Sequence, residues 1–357
     1  MSGDDRMSGQ VQTVLGPVAP GVLGNVLAHE HLTSLVPGPW LAGGQAEGGP
    51  TGALAADEQV NRAVGALSGL RELGYDTVVD LSPYGVVGRS DHGENVALLE
   101  RISRESGVHI VLGSSTYLDP FSPRWVVEAD IDELTARFIA DVTTGIGTSS
   151  YRAGVLGEQA TGLGEITPHE EAGLRAAARA HVETGVGLIT HTTHGTMALE
   201  QVDILRQEGA DLGRVVIGHM DIHPDLVYVR RVLDTGVSVA FDTVGKQHWD
   251  FFLTPLSADL SEGEYAKRAY FRPDDARIGA LLELERLGYA GQIILSHDLT
   301  GAEVALNPET HGQWGYRYLG AVFLPEALRR GLDPAAAQAM VRDNPLRLLT
   351  MTRAGGA

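Results

Sequence analysis

The sequence predicts a (β/α)8 TIM barrel, an α/β fold, and three observations lead there. Eight short apolar runs of strand length recur along the 357 residues, separated by segments of helical periodicity. The chain exceeds the roughly 250 residues typical of such a barrel, so the barrel is expected to be distorted by loop insertions. Histidines and carboxylates stand at the C-terminal ends of the runs, the face on which such barrels carry their sites.

The eight strand candidates are residues 26–31, 77–81 ("TVVDL"), 108–113 ("VHIVLG"), 154–158 ("GVLGE"), 187–191 ("GLITH"), 215–219 ("VVIGH"), 237–241 ("VSVAF") and 292–298 ("QIILSHD"). Helical stretches fall between them. Residues 57–73 place Val60, Val64, Leu67 and Leu70 on one stripe. The segment "TPHEE" opens another helix, with Thr167 as N-cap, Pro168 at the first helical position and Glu170 three residues after the cap; it stops near Gly185. A third spans 276–287, and "EALRRG" and "PAAAQAMVRDNP" read as helices near the C-terminus. Residues 11–24, "VQTVLGPVAPGVLG", read as a short hairpin closing the bottom of the barrel. The longest insertion, 243–275 after strand seven, carries "KQHWDFF", and an aromatic-rich loop of that length reads as a lid. No linker or charge block divides the chain, so residues 1–357 are expected to form one domain, with 1–10 disordered. "MSG" occurs twice, and Met7 is a second candidate start.

Bulk properties narrow the function. Apolar residues make up 43 %, ordinary for a folded protein with a sizeable core. The balance of 27 basic against 46 acidic residues, a net charge of −19, repels phosphate backbones and anionic membrane surfaces, so a small molecule is a better partner than nucleic acid. There is no cysteine, hence no disulfide and no thiolate ligand, which fits a cytoplasmic protein. Nowhere do eighteen apolar residues run together, so no membrane span is expected, and residues 1–12, "MSGDDRMSGQVQ", lack the apolar stretch of a signal peptide.

The stretch "NVLAHEHLTS" (25–34) holds the first clue to chemistry. Side chains at i and i+2 of a strand share a face, so His29 and His31 point together and Glu30 points away. The remaining strand ends continue the pattern: Glu158 on strand four, His191 on strand five, His219 on strand six and Asp298 on strand eight. Imidazole with carboxylate suits Zn, Co, Ni, Mn or Fe rather than Ca or Mg. Six such groups exceed the four of one tetrahedral zinc. A carboxylate shared between two divalent ions about 3.5–4 Å apart accounts for the excess and holds a bridging hydroxide that is nucleophilic near neutral pH.

In "GPVAPGVLGNVLAHEHL", "RAGVLGE…ITPHEEAGLRAAARAHVETGVGLITHT", "RVVIGHMD", "FDTVGK" and "IILSHD", taken in this order over roughly 15–350, the chain resembles the phosphotriesterase family of the amidohydrolase superfamily. The resemblance implies that His29, His31 and Asp298 hold the more buried metal, that His191 and His219 hold the more exposed one, and that a strand-four group bridges them. It further implies that Asp298 takes a proton from the attacking hydroxide. The best-known members bridge with a carboxylated lysine. Here the only lysines are Lys246 and Lys267, both after strand seven, so Glu158 takes the bridge, as in the phosphotriesterase-related branch.

Two further residues are candidates for substrate contact. Lys246, in "FDTVGK", is placed to meet a substrate anion or carbonyl oxygen; the alternative is a loop lysine paired with an acid. Tyr117, after strand three, is a candidate hydrogen-bond donor to a substrate oxygen. His194 and His223, just beyond strands five and six, read as pocket wall rather than ligands, Trp249, Trp314 and Tyr316 as pocket-lining aromatics, and His297 as pointing away from the metals. The expected activity is metal-dependent hydrolysis of a carboxylic ester or lactone, with phosphotriesters as a side activity. An amidase acting on N-acyl amino acids and a metal-binding barrel without catalysis are the alternatives. The resemblance implies a homodimer.

Overall fold

The structure, a computed structural model, describes residues 9–34, 56–246, 250–252, 268–270, 273–300 and 315–352. The chain opens with the expected hairpin, β1 (Val11–Thr13) paired antiparallel with β2 (Gly16–Val18). The eight expected strands follow: β3 (Asn25–Glu30), β4 (Tyr75–Asp80), β5 (His109–Ser114), β6 (Val155–Thr161), β7 (Gly187–Thr192), β8 (Val215–Ile217), β9 (Ser238–Phe241) and, after a second small antiparallel pair β10 (Asp250–Phe252) and β11 (Arg268–Tyr270), β12 (Ile293–Leu295). They form one parallel sheet in the order β12-β9-β8-β7-β6-β5-β4-β3, the sequential arrangement of a TIM-like barrel.

Alternation along each strand builds two layers. Val26, Ala28, Val79, Leu81, Val111, Val155, Ile189, Val216, Ala240 and Ile294 fill the interior together with Val11 and Leu23 of the hairpin region. Their neighbours Leu27, Val78, Ile110, Leu156, Leu188, Ile217, Phe241 and Leu295 pack outward against the helices. Val14 N–H donates to the Ile110 carbonyl (2.8 Å), so the hairpin seals the N-terminal end of the barrel as expected.

The ring closes between the first and last strands through backbone beyond regular β-structure. His31 N–H donates to Leu299 O (2.9 Å) and Asp298 N–H to His29 O (3.0 Å). Glu30, fully buried, fastens this seam from outside. Its carboxylate accepts from Ser296 Oγ (2.9 Å), His297 N (3.2 Å), His297 Nδ1 (2.8 Å) and Leu299 N (2.8 Å). His297 therefore points away from the interior, as expected, and its Nε2 accepts from Leu319 N–H.

The helix at "TPHEE" forms as read: it spans Pro168–Thr184, both halves of the Thr167/Glu170 capping box are present, and Gly185 ends it in the left-handed region (φ 70°). The stretch expected as a helix over 57–73 is shorter. A helix covers Ala56–Ala66, and Arg71–Leu73 forms a separate 3-10 turn. Gly69 adopts φ 72° between them, where an added Cβ would meet the Arg317 guanidinium at 3.2 Å, so the chain breaks there to let Arg317 in. The 276–287 helix spans Asp274–Arg286. The lid reading for 243–275 falls largely outside the described residues, as do Trp249 and Trp314.

Candidate metal centre

All six expected ligands converge at the C-terminal end of the barrel, though not all by simple strand alternation. His191 lies in phase with the inward Ile189 two residues earlier. His29 does not follow Val26 and Ala28 in phase; the β3/β4 register shifts between Leu27 and Glu30, which turns His29 and His31 inward and Glu30 outward. A similar shift between Leu156 and Gln159 on β6 brings in Glu158. Strands six and eight were expected to end at His219 and Asp298, but β8 stops at Ile217 and β12 at Leu295. His219 (φ 58°) and Asp298 (φ 54°) stand beyond them in left-handed backbone, a costly conformation for a side chain with a Cβ and one that concentrates at functional sites. Gly218 makes the His219 turn possible: a Cβ there would lie 2.2 Å from the Thr190 carbonyl.

Glu158 occupies the middle. Its Oε1 is 3.4 Å from His31 Nε2; its Oε2 is 3.4 Å from His29 Nε2, 2.9 Å from His191 Nδ1 and 3.6 Å from His219 Nε2. Asp298 Oδ1 sits 3.0 Å from His31 Nε2 and 3.6 Å from His29 Nε2. Its Oδ2 accepts from Lys246 Nζ at 2.6 Å. His191 Nδ1 and His219 Nε2 approach to 2.8 Å. Each ring is oriented through its other nitrogen: His31 Nδ1 by Ser82 Oγ (3.1 Å) and His191 Nε2 by Thr193 Oγ1 (3.3 Å). Thr193 Oγ1 spends its own proton on the Thr161 carbonyl, so it can only accept from His191. His29 and His219 are both held at Nδ1 by Asp242 (2.8 and 2.9 Å), fully buried at the end of β9.

Asp242 was not singled out from sequence. The signal was there: it stands two residues after the inward-facing Ala240, in "FDTVGK".

The groups shift one another strongly. Burial lowers the His219 imidazole, but Asp242 outweighs it and pushes it up to about 10. His29 follows the same balance, burial against Glu158 and Asp242, and ends well above the ordinary histidine value. Burial raises Glu158 and Asp298, yet His29 and its neighbours hold Glu158 well below the carboxylate range, and Lys246 with His31 does the same for Asp298. The buried acids thus demand positive charge at His29 and His219, whereas burial and the neighbouring His219 lower His191. His29 Nε2 is buried without a hydrogen-bond partner among the described residues, facing two carboxylate oxygens. A divalent cation at that nitrogen meets the demand, since cations and protons compete for such donors. The groups His29, His31 and Glu158, and Glu158, His191 and His219, each bring one donor atom apiece within 4.8 Å of the others. The residues fit two cations sharing Glu158.

Exposure marks the open side. The Asp298 and His191 side chains are 19 % and 13 % accessible, against 5 % or less for the other four groups. Tyr117 borders that side: its ring meets the edge of His191 at 5.2 Å between centroids, packed with Val86, Val87, Leu118 and Ala160. Burial, then Glu158 and Asp298, raise its phenol well above the usual tyrosine value, so it keeps its proton. Lys246 is paired with an acid, as the simpler reading had it, but that acid is Asp298 itself. His223 stacks on Tyr228, and neither it nor His194 joins a ligand cluster among the described residues. Tyr316 is buried, 1 % accessible, with the outer core.

A parallel barrel whose C-terminal rim gathers two histidine–carboxylate clusters around one shared glutamate defines a hydrolase with a metal site. The phosphotriesterase family model matches residues 9–349, and the chain belongs to that family, with the glutamate in the bridging place characteristic of its phosphotriesterase-homology branch. It is 33 % identical over 253 residues to a phosphotriesterase homology protein of Escherichia coli, covering 71 % of this chain and 78 % of that one. It is 28 % identical over 372 residues to an N-acetyltaurine hydrolase of Salmo salar, covering 96 % and 99 %. Among solved structures, a variant of a phosphotriesterase-like lactonase from Deinococcus radiodurans superposes with a TM-score of 0.77 at 31 % identity, over 95 % of this chain and 99 % of that one.

Proposed function

We propose that this hydrolase acts on a carboxylic ester or lactone at a two-cation centre. The observation that carries the reading is the placement of one buried carboxylate, Glu158, between His29 and His31 on one side and His191 and His219 on the other. Two divalent cations bound there supply a water-derived nucleophile near neutral pH and Lewis-acid polarisation of a carbonyl. The ring anchors leave Nε2 of His29, His31 and His219 and Nδ1 of His191 free to act as ligand atoms. Asp298, ionised and the most accessible carboxylate of the cluster, takes the proton released as water attacks and passes it toward the open side. Lys246 keeps Asp298 ionised and offers its ammonium to a substrate oxygen entering beside it. Tyr117 donates its O–H to the substrate from the His191 side.

The end-to-end match to N-acetyltaurine hydrolases favours a second reading, hydrolysis of the amide of an N-acyl amino acid by the same groups. Substrate loss by mass spectrometry separates the two on a pooled panel of lactones, carboxylic esters, N-acyl amino acids and phosphotriesters. Native, chelator-stripped and Glu158→Ala proteins are compared. Loss of the lactone or ester class with native protein alone is the expected result. Loss of the N-acyl amino acids alone selects the amidase, and no turnover with two cations bound per chain overturns hydrolysis of every class on the panel.

A further inference from the structure

The four imidazoles of the centre are anchored in two different ways. His31 and His191 each rest on a neutral hydroxyl belonging to one strand end, Ser82 or Thr193. His29 and His219 rest on the same carboxylate. Asp242 Oδ2 accepts a hydrogen bond from His29 Nδ1–H (2.8 Å), and Oδ1 accepts one from His219 Nδ1–H (2.9 Å). Oδ1 also accepts the backbone N–H of His219 (2.9 Å). His29 lies on the side of the His31/Asp298 subsite and His219 on the side of the His191 subsite. We propose that Asp242 is a positioning residue that couples the two cation subsites, setting through one carboxylate which nitrogen of one ring in each subsite is offered to a cation. The inference rests on the two-cation reading above.

The chemistry is that of an acceptor-only group. An ionised carboxylate accepts at both oxygens and donates at neither, so both rings must carry their proton on Nδ1 and present a bare Nε2 to the centre. The cluster His29, His219 and Asp242 could itself hold a cation by proximity. Its atoms are instead already joined in hydrogen bonds, and the Nε2 atoms, not Nδ1, face Glu158.

An amide in the same place breaks the symmetry in a definite direction. Asn has one acceptor and one donor end. In Asp242→Asn the oxygen settles at the Oδ1 position, where it meets two donors, the backbone N–H and Nδ1–H of His219. The NH2 end then faces His29 Nδ1. His29 must present that nitrogen bare and carry its proton on Nε2, aimed at Glu158 Oε2 and Asp298 Oδ1. The proton stands where a cation would bind, while His219 keeps its original form. The substitution therefore disables the His29/His31/Asp298 subsite and spares the Glu158/His191/His219 subsite.

Titration of the metal-free protein with Mn2+, followed by electron paramagnetic resonance, tests this directly. Wild type is expected to take two ions per chain with an exchange-coupled signal. Asp242→Asn is expected to keep one ion at near wild-type affinity, with an isolated-ion signal, and to bind the other about 10–100-fold more weakly, the usual effect of losing a partner behind a ligating histidine. Two ions held unchanged, or both weakened equally, overturn the proposal. Fewer than two ions on wild type overturns the two-cation reading instead. Should the variant fail to fold, nitrogen-15 NMR of the Zn2+-loaded wild type decides. Nδ1–H on both His29 and His219 is expected, and Nε2–H on either ring overturns the assignment.

Discussion

Replacing Glu30 by alanine should destabilise the fold strongly, although Glu30 touches none of the six converging side chains. Its carboxylate is fully buried and accepts four hydrogen bonds from the turn between β12 and the seam. Ser296 Oγ also reaches the His29 carbonyl (3.2 Å), so it is partly compensated. His297 N, His297 Nδ1 and Leu299 N are not. A buried donor left without an acceptor costs about 1–3 kcal/mol. The three overlap in one turn, so the expected loss is ~3–5 kcal/mol, the low end of three such losses taken together. Urea unfolding of the chelated protein measures it, and Glu58→Ala, which removes an exposed pair with Arg62, is a control expected to stay within about 0.5 kcal/mol. Asp298 N–H is bonded to His29 O across the same seam, so cation affinity should fall as well. A Glu30→Ala protein within about 1 kcal/mol of wild type would refute the view that this carboxylate closes the barrel.

Arg277 is buried with bonds to Asp221 Oδ2 (2.6 Å), Asp274 Oδ1 (2.8 Å) and Thr243 Oγ1 (2.7 Å); Arg277→Leu removes the guanidinium from these three acceptors and should lose at least about 3 kcal/mol in the same unfolding assay. Burial, set against bonds from Ser114 and Tyr84, pushes the Asp141 carboxyl up from 3.8 to about 6. The folded state therefore holds that proton more tightly, and this contribution is present below about pH 4 and lost as pH rises through about 6, by at most ~3 kcal/mol. Asp141→Asn should flatten that fall in stability between pH 4 and 6, and an unchanged pH profile would contradict the assignment. Because Glu158 takes the place of a carbamate, refilling the stripped protein with Zn2+ or Co2+ should proceed at the same rate in carbon-dioxide-free and bicarbonate-supplemented buffer. A clear bicarbonate requirement would count against the Glu158 bridge.

The strand cores and the convergence of His29, His31, Glu158, His191, His219 and Asp298 at one rim were legible because the barrel needs alternation and the chemistry needs particular residue types there. What alternation could not convey is how the strands end. Counting inward from Val26 and Ala28 would put Glu30, not His29, in the interior; a register shift reverses this, and nothing in the local sequence announces such a shift. His219 and Asp298 sit outside their strands because the left-handed turns that aim them interrupt the ladder. Asp242 follows the run 237–241 by one residue, in phase with the inward Ala240. Its role is hidden in the sequence because it orients His29 and His219 from behind rather than standing among the groups around Glu158. Glu30 was correctly read as facing away, but its partners lie 266–269 residues downstream, beyond the reach of any local pattern.

That separation along the chain bears on biosynthesis. His29 and His31 leave the ribosome early, and Asp298, with the turn that Glu30 fastens, follows 267 residues after His31. At about 5–20 residues per second the wait is roughly 13–53 s. Throughout it the first strand has no partner on one edge, and the ligand set that includes Asp298 does not exist. On the two-cation reading, the subsite that includes Asp298 is thereby completed only when the last strand docks, so a truncated product lacking residues beyond 290 cannot form it.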